Sequence, residues 1–338
     1  MFQVGKKCFN AHSPSGNSDG EVDMTLHKPR IAVFCGDPAG IGPELVQRLL
    51  DNPKRYEHAH IHLIGQQVAL QVPASVTVHT WDGWLTAPFE PGEAGASNGC
   101  YMLEGLRQGL TLAQAGAVDA LCFAPLNKAA LRAAGMHQED ELRWFADFLN
   151  FKASCGELNV LEDLWTARVT SHVALREVSS LLSPQKVATA IAMIIDSLKR
   201  AGLDQPRIAV CGLNPHNGDH GNYGDEEARL IEPGIELARA NGYTAEGPFP
   251  ADTAFVRAIR KPDGYDGVVT MYHDQGQIAM KLLGFERGVT VHGGLPYPIT
   301  TPAHGTAYDI VGKEQANPQA FFNAFDLACK MALSGKTI

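Results

Sequence analysis

Short apolar, β-branched segments alternate with longer segments of helical periodicity along most of this 338-residue chain. Strands and helices that alternate at this spacing are typical of a largely parallel sheet with helices on both faces. We therefore predict an α/β fold with one such sheet or two. The predicted elements are strand 31–35, helix 43–50, strand 61–64, strand 120–123, helix 128–134, strand 167–170, helix 183–200, strand 207–211, helix 226–241, strand 267–271 and helix 318–334.

The length predicts two medium domains or one large one. Residues 1–28 carry no apolar period and are predicted to be a disordered extension, so that Met1 or Met24 could be the natural start. No low-complexity linker follows, which suggests that the backbone crosses between two lobes more than once.

The composition excludes several classes of protein. The formal net charge is −9 without any block of Lys or Arg, which argues against a nucleic-acid or anionic-membrane partner. No apolar run approaches the length of about 18 residues that a membrane span needs. The seven Cys form no CxxC pair, which favours reduced thiols in the cytoplasm over disulfides or a thiolate zinc site.

Three predicted strands are each followed within a few residues by a histidine, namely His172, His216 and His273. Ligands of open α/β sheets bind beyond the carboxyl ends of the strands. The three imidazoles could therefore share one divalent metal, although each could equally be a hydrogen-bonded residue at the rim of the sheet. A site made mostly of His favours Zn, Co or Fe over Mg, without excluding Mg.

Two loops remain ambiguous when only their residues are considered. The glycine-rich segment 36–42 has neither the spacing of the dinucleotide fingerprint nor that of a P-loop. It is either a tight turn between strand and helix or an anion site at the helix N-terminus. Residues 304–312 form a polar loop before the last helix.

Seven motifs together resemble the 4-hydroxythreonine-4-phosphate dehydrogenase family over roughly residues 29–335. They are GDPAGIGPE at 36–44, NK at 127–128, TSHVAL at 170–175, NPHNGDHGNYGDEE at 214–227, ADT at 251–253, YHDQG at 272–276 and HGTAYDIVG at 304–312. The last motif is also similar to the adenosine-binding loop of isocitrate and isopropylmalate dehydrogenases. The resemblance implies a two-lobed α/β/α fold with the active site in the cleft between lobes. Their approximate bounds are 29–127 with 300–338, and 128–299.

The resemblance also implies a reaction. The family oxidises a β-hydroxy acid with NAD or NADP, and the product loses CO₂ with the help of a divalent metal (Zn, Co, Mn or Mg). The metal ligands correspond to His172, His216 and His273, two from one subunit and one from its partner, which implies a homodimer. The candidate catalytic residues are Lys128, Asp252 and Lys281, of which the two lysines could transfer a proton, bind a substrate anion or be solvated surface charges. The cofactor adenosine is expected against His304, Gly305, Thr306, Ala307, Asp309 and Asn317.

The chain departs from the family at the substrate. Biosynthetic members have His and Thr where this chain has Glu141 and Leu142, and Asn and Arg where it has Thr290 and Ile299. A carboxylate at 141 would repel a phosphate, and an alkyl group at 299 cannot replace a bidentate arginine. We therefore predict an altered substrate pocket. Its predicted contacts are Glu141, Leu142, Arg143, Lys281, Thr290 and Ile299.

Three alternatives remain open. The first is an enzyme similar to the terephthalate cis-dihydrodiol dehydrogenases, with Arg143, Trp144 and Tyr297 near a cyclic carboxylate, although Trp144 at helical spacing is more often a core residue. The second is a true 4-phosphooxy-threonine dehydrogenase of vitamin B6 biosynthesis. The third is an inactive metal-binding homologue, which the retained metal and cofactor motifs disfavour.

Overall fold

The computed structural model describes residues 28–65, 70–81, 89–260 and 262–334, so the predicted N-terminal extension falls almost wholly outside the described residues. Within them the strands form one sheet in the order β3-β2-β1-β4-β11-β10-β5-β6-β9-β7-β8. The strands are β1 (Arg30–Phe34), β2 (His60–Ile64), β3 (Thr77–His79), β4 (Ala120–Phe123), β5 (Gly156–Leu161), β6 (Leu164–Arg168), β7 (Ile208–Cys211), β8 (Glu246–Phe249), β9 (Gly267–Thr270), β10 (Val289–Gly293) and β11 (Ile299–Pro302).

The sheet contains two parallel groups that run in opposite directions. Strands β1 to β4 and β11 form one group, and β6 to β9 form the other. Between the groups, β10 and β5 pair antiparallel with each other and with their outer neighbours. The sheet is therefore mixed at its centre, and the carboxyl ends of the two parallel groups face opposite edges. The predicted division into lobes at 128 and 300 stays a prediction.

The helices cover the sheet as the α/β fold requires. They are α1 (Gly42–Leu50), α2 (Pro53–Tyr56), α3 (Ala96–Gln114), α4 (Lys128–Ala133), α5 (Glu141–Phe148), α6 (Val178–Leu181), α7 (Pro184–Arg200), α8 (Glu232–Ala240), α9 (Ala251–Ala258), α10 (His273–Gly284) and α11 (Gln319–Ser334). Most predicted elements lie within one or two residues of these bounds. Two differ more: the predicted strand 167–170 is β6, which begins at Leu164, and the predicted helix 226–241 begins with a π-helical turn over Glu227–Ile231 before α8.

Helix α7 shows why the periodic segments fold as predicted. The Ser183 hydroxyl accepts a hydrogen bond from the Lys186 backbone N–H at 3.3 Å, and Pro184 occupies the first turn. Its apolar face is fully buried, with Ile191 and Ile194 both 0% exposed. Burial of such side chains stabilises the fold by roughly 1.5–3 kcal/mol each.

One observation bears on a membrane. Among the described residues, no helix by itself has the length and apolar character to cross a bilayer, although one bent pair, Leu175–Leu181 with Pro184–Arg200, meets those criteria.

Candidate active site

A cavity of about 290 Å³ opens over the centre of the sheet, beside β5 and β10. We call it the cleft. Helices α4, α5 and α10 and the 303–305 segment also contribute to its wall. Eight of its lining residues are ones that the sequence singled out: Lys128, Glu141, His172, His273, Lys281, Thr290, His304 and Gly305. The fold thus gathers residues from several distant motifs around one cavity.

Two of the three predicted metal ligands meet in the cleft. His172 follows β6 and His273 opens α10 shortly after β9, and these two strands are parallel neighbours. The ring centroids of the two histidines lie 5.7 Å apart. His172 Nδ1 is also 3.3 Å from Glu139 Oε1, and the possible ligand atoms of Glu139, Asp140 and His172 lie within 4.8 Å of one another. Imidazole and carboxylate donors at this spacing suit a divalent transition metal.

His216 does not join the other two histidines. It follows β7, the neighbour of β9, but it is exposed and absent from the cleft lining, and its ring centroid lies 6.4 Å from that of Tyr223. Residues 216–220 all have positive φ, between 43° and 76°. A left-handed conformation costs roughly 1–2 kcal/mol for each residue other than glycine, so the surrounding contacts must hold this turn.

A buried carboxylate supplies part of that support. Glu227 is 4% exposed, and its Oε1 accepts hydrogen bonds from the backbone N–H groups of Leu213 and Asn214, each at 2.7 Å. The Asn214 side chain donates to Glu226 Oε2 at 2.7 Å. Residues of the NPHNGDHGNYGDEE motif therefore stabilise the loop that carries the exposed His216.

An ion pair that the sequence analysis missed lies across the cleft wall. Glu157 on β5 and Arg168 on β6 are paired, with their side chains 14% and 7% exposed. Arg168 also donates to Asn159 Oδ1 and to Ser171 Oγ, each at 2.9 Å. Burial acts to raise the pKa of the Glu157 carboxyl, but Arg168, with further positive groups, holds that pKa below its ordinary value overall.

The glycine-rich loop contacts the predicted cofactor segment. The backbone N–H of Ile41 donates to the Thr306 carbonyl at 3.0 Å, and a Cβ at Gly40 would lie 2.9 Å from Thr306 Cβ. The buried Asp37 carboxylate accepts hydrogen bonds from the Tyr308 hydroxyl and, at 3.3 Å, from Asn98. Gly40 thus permits a close approach between the two loops, and the anion site considered for the glycine-rich loop stays a prediction.

Only part of the predicted cofactor segment reaches the cleft. His304 and Gly305 line it, and burial lowers the pKa of the His304 imidazole although the Gly305 carbonyl, 3.0 Å from Nδ1, acts against that shift. Thr306 contacts the glycine-rich loop, and Ala307 has a left-handed backbone with φ 45°. Two further predicted residues, Asp309 and Asn317, are exposed and outside the cleft lining. Asn317 Oδ1 instead accepts from the backbone N–H of Gln319, the first residue of α11, at 3.0 Å.

The predicted substrate residues separate into two groups. Glu141, Lys281 and Thr290 line the cleft. Leu142 and Ile299 are 1% and 0% exposed in the apolar core, so the structure does not bring these two to the cleft as predicted.

Four other predicted residues also lie away from the cleft. The Arg143 side chain lines a second cavity, where its Nη1 is 3.9 Å from Cys155 Sγ. Trp144 stacks on Phe148 at a centroid distance of 5.6 Å, and Tyr297 packs against the core. The predicted catalytic Asp252 is exposed on α9 and does not line the cleft.

Strand β5 carries the functional residues that the sequence analysis missed. Its buried residues Leu158 and Val160 alternate with Glu157 and Asn159, which line the cleft. That period of two is the ordinary signal of a half-buried strand. The segment is short and its hairpin turn contains Glu162 at φ 54° instead of a glycine, which removes the usual turn signal.

Comparison with known proteins agrees with this geometry. A Pseudomonas aeruginosa protein named "Putative 4-hydroxythreonine-4-phosphate dehydrogenase 2" is 49% identical over 90% of this chain and 97% of its own length. The D-threonate 4-phosphate dehydrogenase of Pectobacterium atrosepticum is 36% identical over 89% of this chain and 99% of its own length.

Two solved structures share the fold. The 4-hydroxythreonine-4-phosphate dehydrogenase of Klebsiella pneumoniae has a TM-score of 0.76 at 33% identity and covers 90% of this chain and 99% of its own. A terephthalate 1,2-cis-dihydrodiol dehydrogenase from Burkholderia xenovorans has a TM-score of 0.66 at 27% identity and covers 89% of this chain and 98% of its own. These likenesses confirm the predicted α/β dehydrogenase fold.

Fold, cleft and relatives together define a dehydrogenase, an oxidoreductase that acts on CH–OH groups. The family model described as pyridoxal phosphate biosynthetic protein PdxA matches residues 23–328, and the chain belongs to that family. The predicted resemblance is thereby confirmed.

Proposed function

We propose that this chain oxidises a β-hydroxy acid with NAD or NADP, with loss of CO₂, and that its pocket favours a substrate without a phosphate. The observation that carries the proposal is the composition of the cleft. His172 and His273 line the cleft together with two lysines and the start of the cofactor segment. Glu141 also lines it, at a position where the resemblance implies a substrate-binding histidine.

The residues of the cleft suit the parts of this reaction. His172 and His273 would hold the divalent metal, which when bound would polarise the alcohol oxygen. Lys128 is exposed in the cleft and is our candidate to take the hydroxyl proton. A bound NAD or NADP would accept the hydride of the carbinol carbon, and the resulting β-keto acid would release its carboxylate as CO₂ and take up a proton on the α-carbon. Lys281 is our candidate to hold a substrate carboxylate.

We further propose that the third ligand, His216, comes from the partner of a homodimer. Two observations support this. His216 is exposed and away from the cleft of its own chain. Helix α10 also exposes Ile278 and Leu282, about one turn apart, to 60% and 83%, and Ile259, directly after α9, is 49% exposed. Such a face on a helix that begins at His273 suits a second copy of the chain, which would bring its own residues near the metal. A cytoplasmic location remains a prediction.

A second candidate is a dehydrogenase of a phosphorylated hydroxy acid. The names of the relatives favour it, and Lys128 and Lys281 offer two positive charges in the cleft. The dihydrodiol alternative has less support, because Arg143, Trp144 and Tyr297 do not line the cleft.

The test is stoichiometric formation of NADH and CO₂ from a panel of β-hydroxy acids in the presence of Zn²⁺, Co²⁺, Mn²⁺ or Mg²⁺. The panel includes D-threonate, D-threonate 4-phosphate, 4-phosphooxy-threonine and terephthalate cis-dihydrodiol. His172→Ala should abolish turnover with every acid, whereas His220→Ala, in the same loop as His216, should not. Absence of reduced cofactor with every acid and every metal would overturn the proposal.

A further inference from the structure

Two polar side chains beside the cleft carry buried atoms that make no hydrogen bond within the described residues. They are Glu141, whose Oε2 is buried, and His292, whose two ring nitrogens are both buried. The His292 residue is only 1% exposed. A buried polar group without a partner typically costs about 1–3 kcal/mol, so a site with three such atoms is built to receive something polar.

The Glu141 side chain lines the cleft, and His292 packs against the cleft-lining Phe123. His292 lies two residues from Thr290 on β10, and alternate residues of a strand share one face. Thr290 lines the cleft, as does Phe123, whose ring stacks on His292 at a centroid distance of 5.8 Å. Among charged groups, Glu141 has the largest effect on the pKa of His292, which burial lowers overall. Glu141 therefore lies in the wall of the cleft, and the His292 ring lies behind a residue of that wall.

Neighbouring groups fix these side chains in place. Phe145 packs edge-on against His292 at 5.1 Å, so that aromatic rings contact the imidazole on two sides. Glu141 is the first residue of α5, and the preceding Asp140 caps the helix by accepting from the Arg143 N–H at 2.9 Å. A carboxylate in the first turn of a helix is favoured by the helix dipole, so the charge of Glu141 is stabilised where it stands.

The charges around Glu141 decide what it can bind. Arg168, which also lines the cleft, is occupied by its ion pair with Glu157. Lys128 lines the cleft but makes no ion pair with Glu141 among the described residues. A phosphate dianion at this end would therefore face an uncompensated carboxylate. A hydroxyl or ammonium group would instead donate the hydrogen that Glu141 Oε2 lacks.

We propose, as a consequence of the proposed dehydrogenase function, that Glu141 determines substrate specificity by accepting a hydrogen bond from a donor at the distal end of the substrate. The substrate class is then a β-hydroxy acid that ends in a hydroxyl or ammonium group. His292 is a positioning residue that keeps this end of the cleft polar behind the carboxylate.

The experiment is calorimetric binding of D-threonate and of D-threonate 4-phosphate, which differ only at the distal group, to the full chain with Zn²⁺ and NADH. The reduced cofactor prevents turnover, so the measurement does not depend on catalysis. The wild type should bind D-threonate at least ten times more tightly than its 4-phosphate. Glu141→Gln should reduce that ratio about 10- to 100-fold, since hydrogen bonds to charged groups are the stronger ones. Glu141→His, which restores the residue of the biosynthetic enzymes, should raise the affinity for the 4-phosphate.

Asp147→Asn, at the exposed end of the same helix, is the matched control and should leave the ratio unchanged. His292→Phe should shift the ratio in the same direction as Glu141→Gln without loss of thermal stability, which a purely structural role would not produce. A ratio that Glu141→Gln leaves unchanged, or tighter binding of the 4-phosphate by the wild type, would overturn the inference. Failure to form NADH from any acid, with the binding ratio intact, would instead overturn only the dehydrogenase proposal.

Discussion

Removing one partner of the Glu157–Arg168 ion pair should destabilise the protein strongly. The two side chains are 14% and 7% exposed, so Arg168→Met leaves a nearly buried carboxylate without its counter-ion. Breaking a buried pair in this way typically costs about 3–5 kcal/mol. Arg168→Met also removes the hydrogen bonds to Asn159 and Ser171. We therefore expect the free energy of unfolding at pH 7 to fall by about 3–5 kcal/mol.

The pH dependence of that loss identifies its cause. In the wild type the Glu157 pKa is lowered, so its contribution to stability is present above the unfolded pKa of about 4.3 and is lost as the pH falls through the folded value. In Arg168→Met burial prevails and raises the pKa, so the carboxyl takes up a proton as the pH falls from 7 toward 5. The difference in free energy of unfolding between the wild type and Arg168→Met should then narrow by about 1.4 kcal/mol for each pH unit over which the variant's carboxyl titrates.

The assay is urea unfolding at pH 7, 6 and 5, at one protein concentration. Arg176→Met is the matched control, because Arg176 is 85% exposed and lies 3.9 Å from Glu177; such a surface pair contributes at most about 1 kcal/mol. The double variant Arg168→Met/Glu157→Leu should recover most of the stability, since an apolar pair can replace a buried ion pair. The reasoning would be refuted if Arg168→Met were as stable as Arg176→Met. It would also be refuted if the difference in unfolding free energy between the wild type and Arg168→Met did not depend on pH.

Three further predictions concern the loops and the metal. Gly40→Val should raise the KM for the dinucleotide at least several-fold by displacing Thr306, because even a Cβ at position 40 would lie only 2.9 Å from Thr306 Cβ. Gly95→Ala is the control and should behave as the wild type, since the nearest contact of its Cβ is 3.7 Å away. Equal KM values for the two variants would contradict the role of the loop contact. Mixed dimers of His172→Ala and His216→Ala should regain activity in one of their two sites. A mixture of His172→Ala and His273→Ala should not, because those two rings lie in one cleft. Recovery in the second mixture alone would exclude the proposed division of the metal ligands between the two subunits. Metal analysis should show stoichiometric Zn²⁺ in His220→Ala and loss of it in His273→Ala, and retention in both would remove His273 from the ligand set.

The sequence predicted the periodic parts of the fold better than the irregular ones. Helix α7 has a cap, a proline and an apolar stripe, and it forms where predicted. Strands β5 and β10 lie between the two parallel groups and pair antiparallel, and neither was predicted. They pair with each other although they are far apart in the sequence, and the turn from β5 to β6 contains no glycine. Long-range pairing of this kind leaves little local signal.

The sequence likewise predicted only part of the candidate site. The positions of His172 and His273 follow from strand ends, and the structure brings them together. The alignment of Ile299 and Leu142 with family contacts did not reveal that both side chains point into the core, since a motif fixes a residue's place in the chain and not the direction of its side chain. Glu157 and His292 acquire their surroundings only when β5, β6 and β10 form the sheet.

The most direct test of the proposed function is kcat/KM for D-threonate beside D-threonate 4-phosphate, measured as NADH formation by the metal-loaded protein. The two acids present the same reacting carbons and differ only at the end that we propose to lie against Glu141. The account predicts a higher kcat/KM for D-threonate, by at least ten-fold. A higher kcat/KM for the 4-phosphate, at a rate typical of enzymes, would contradict the proposed substrate class.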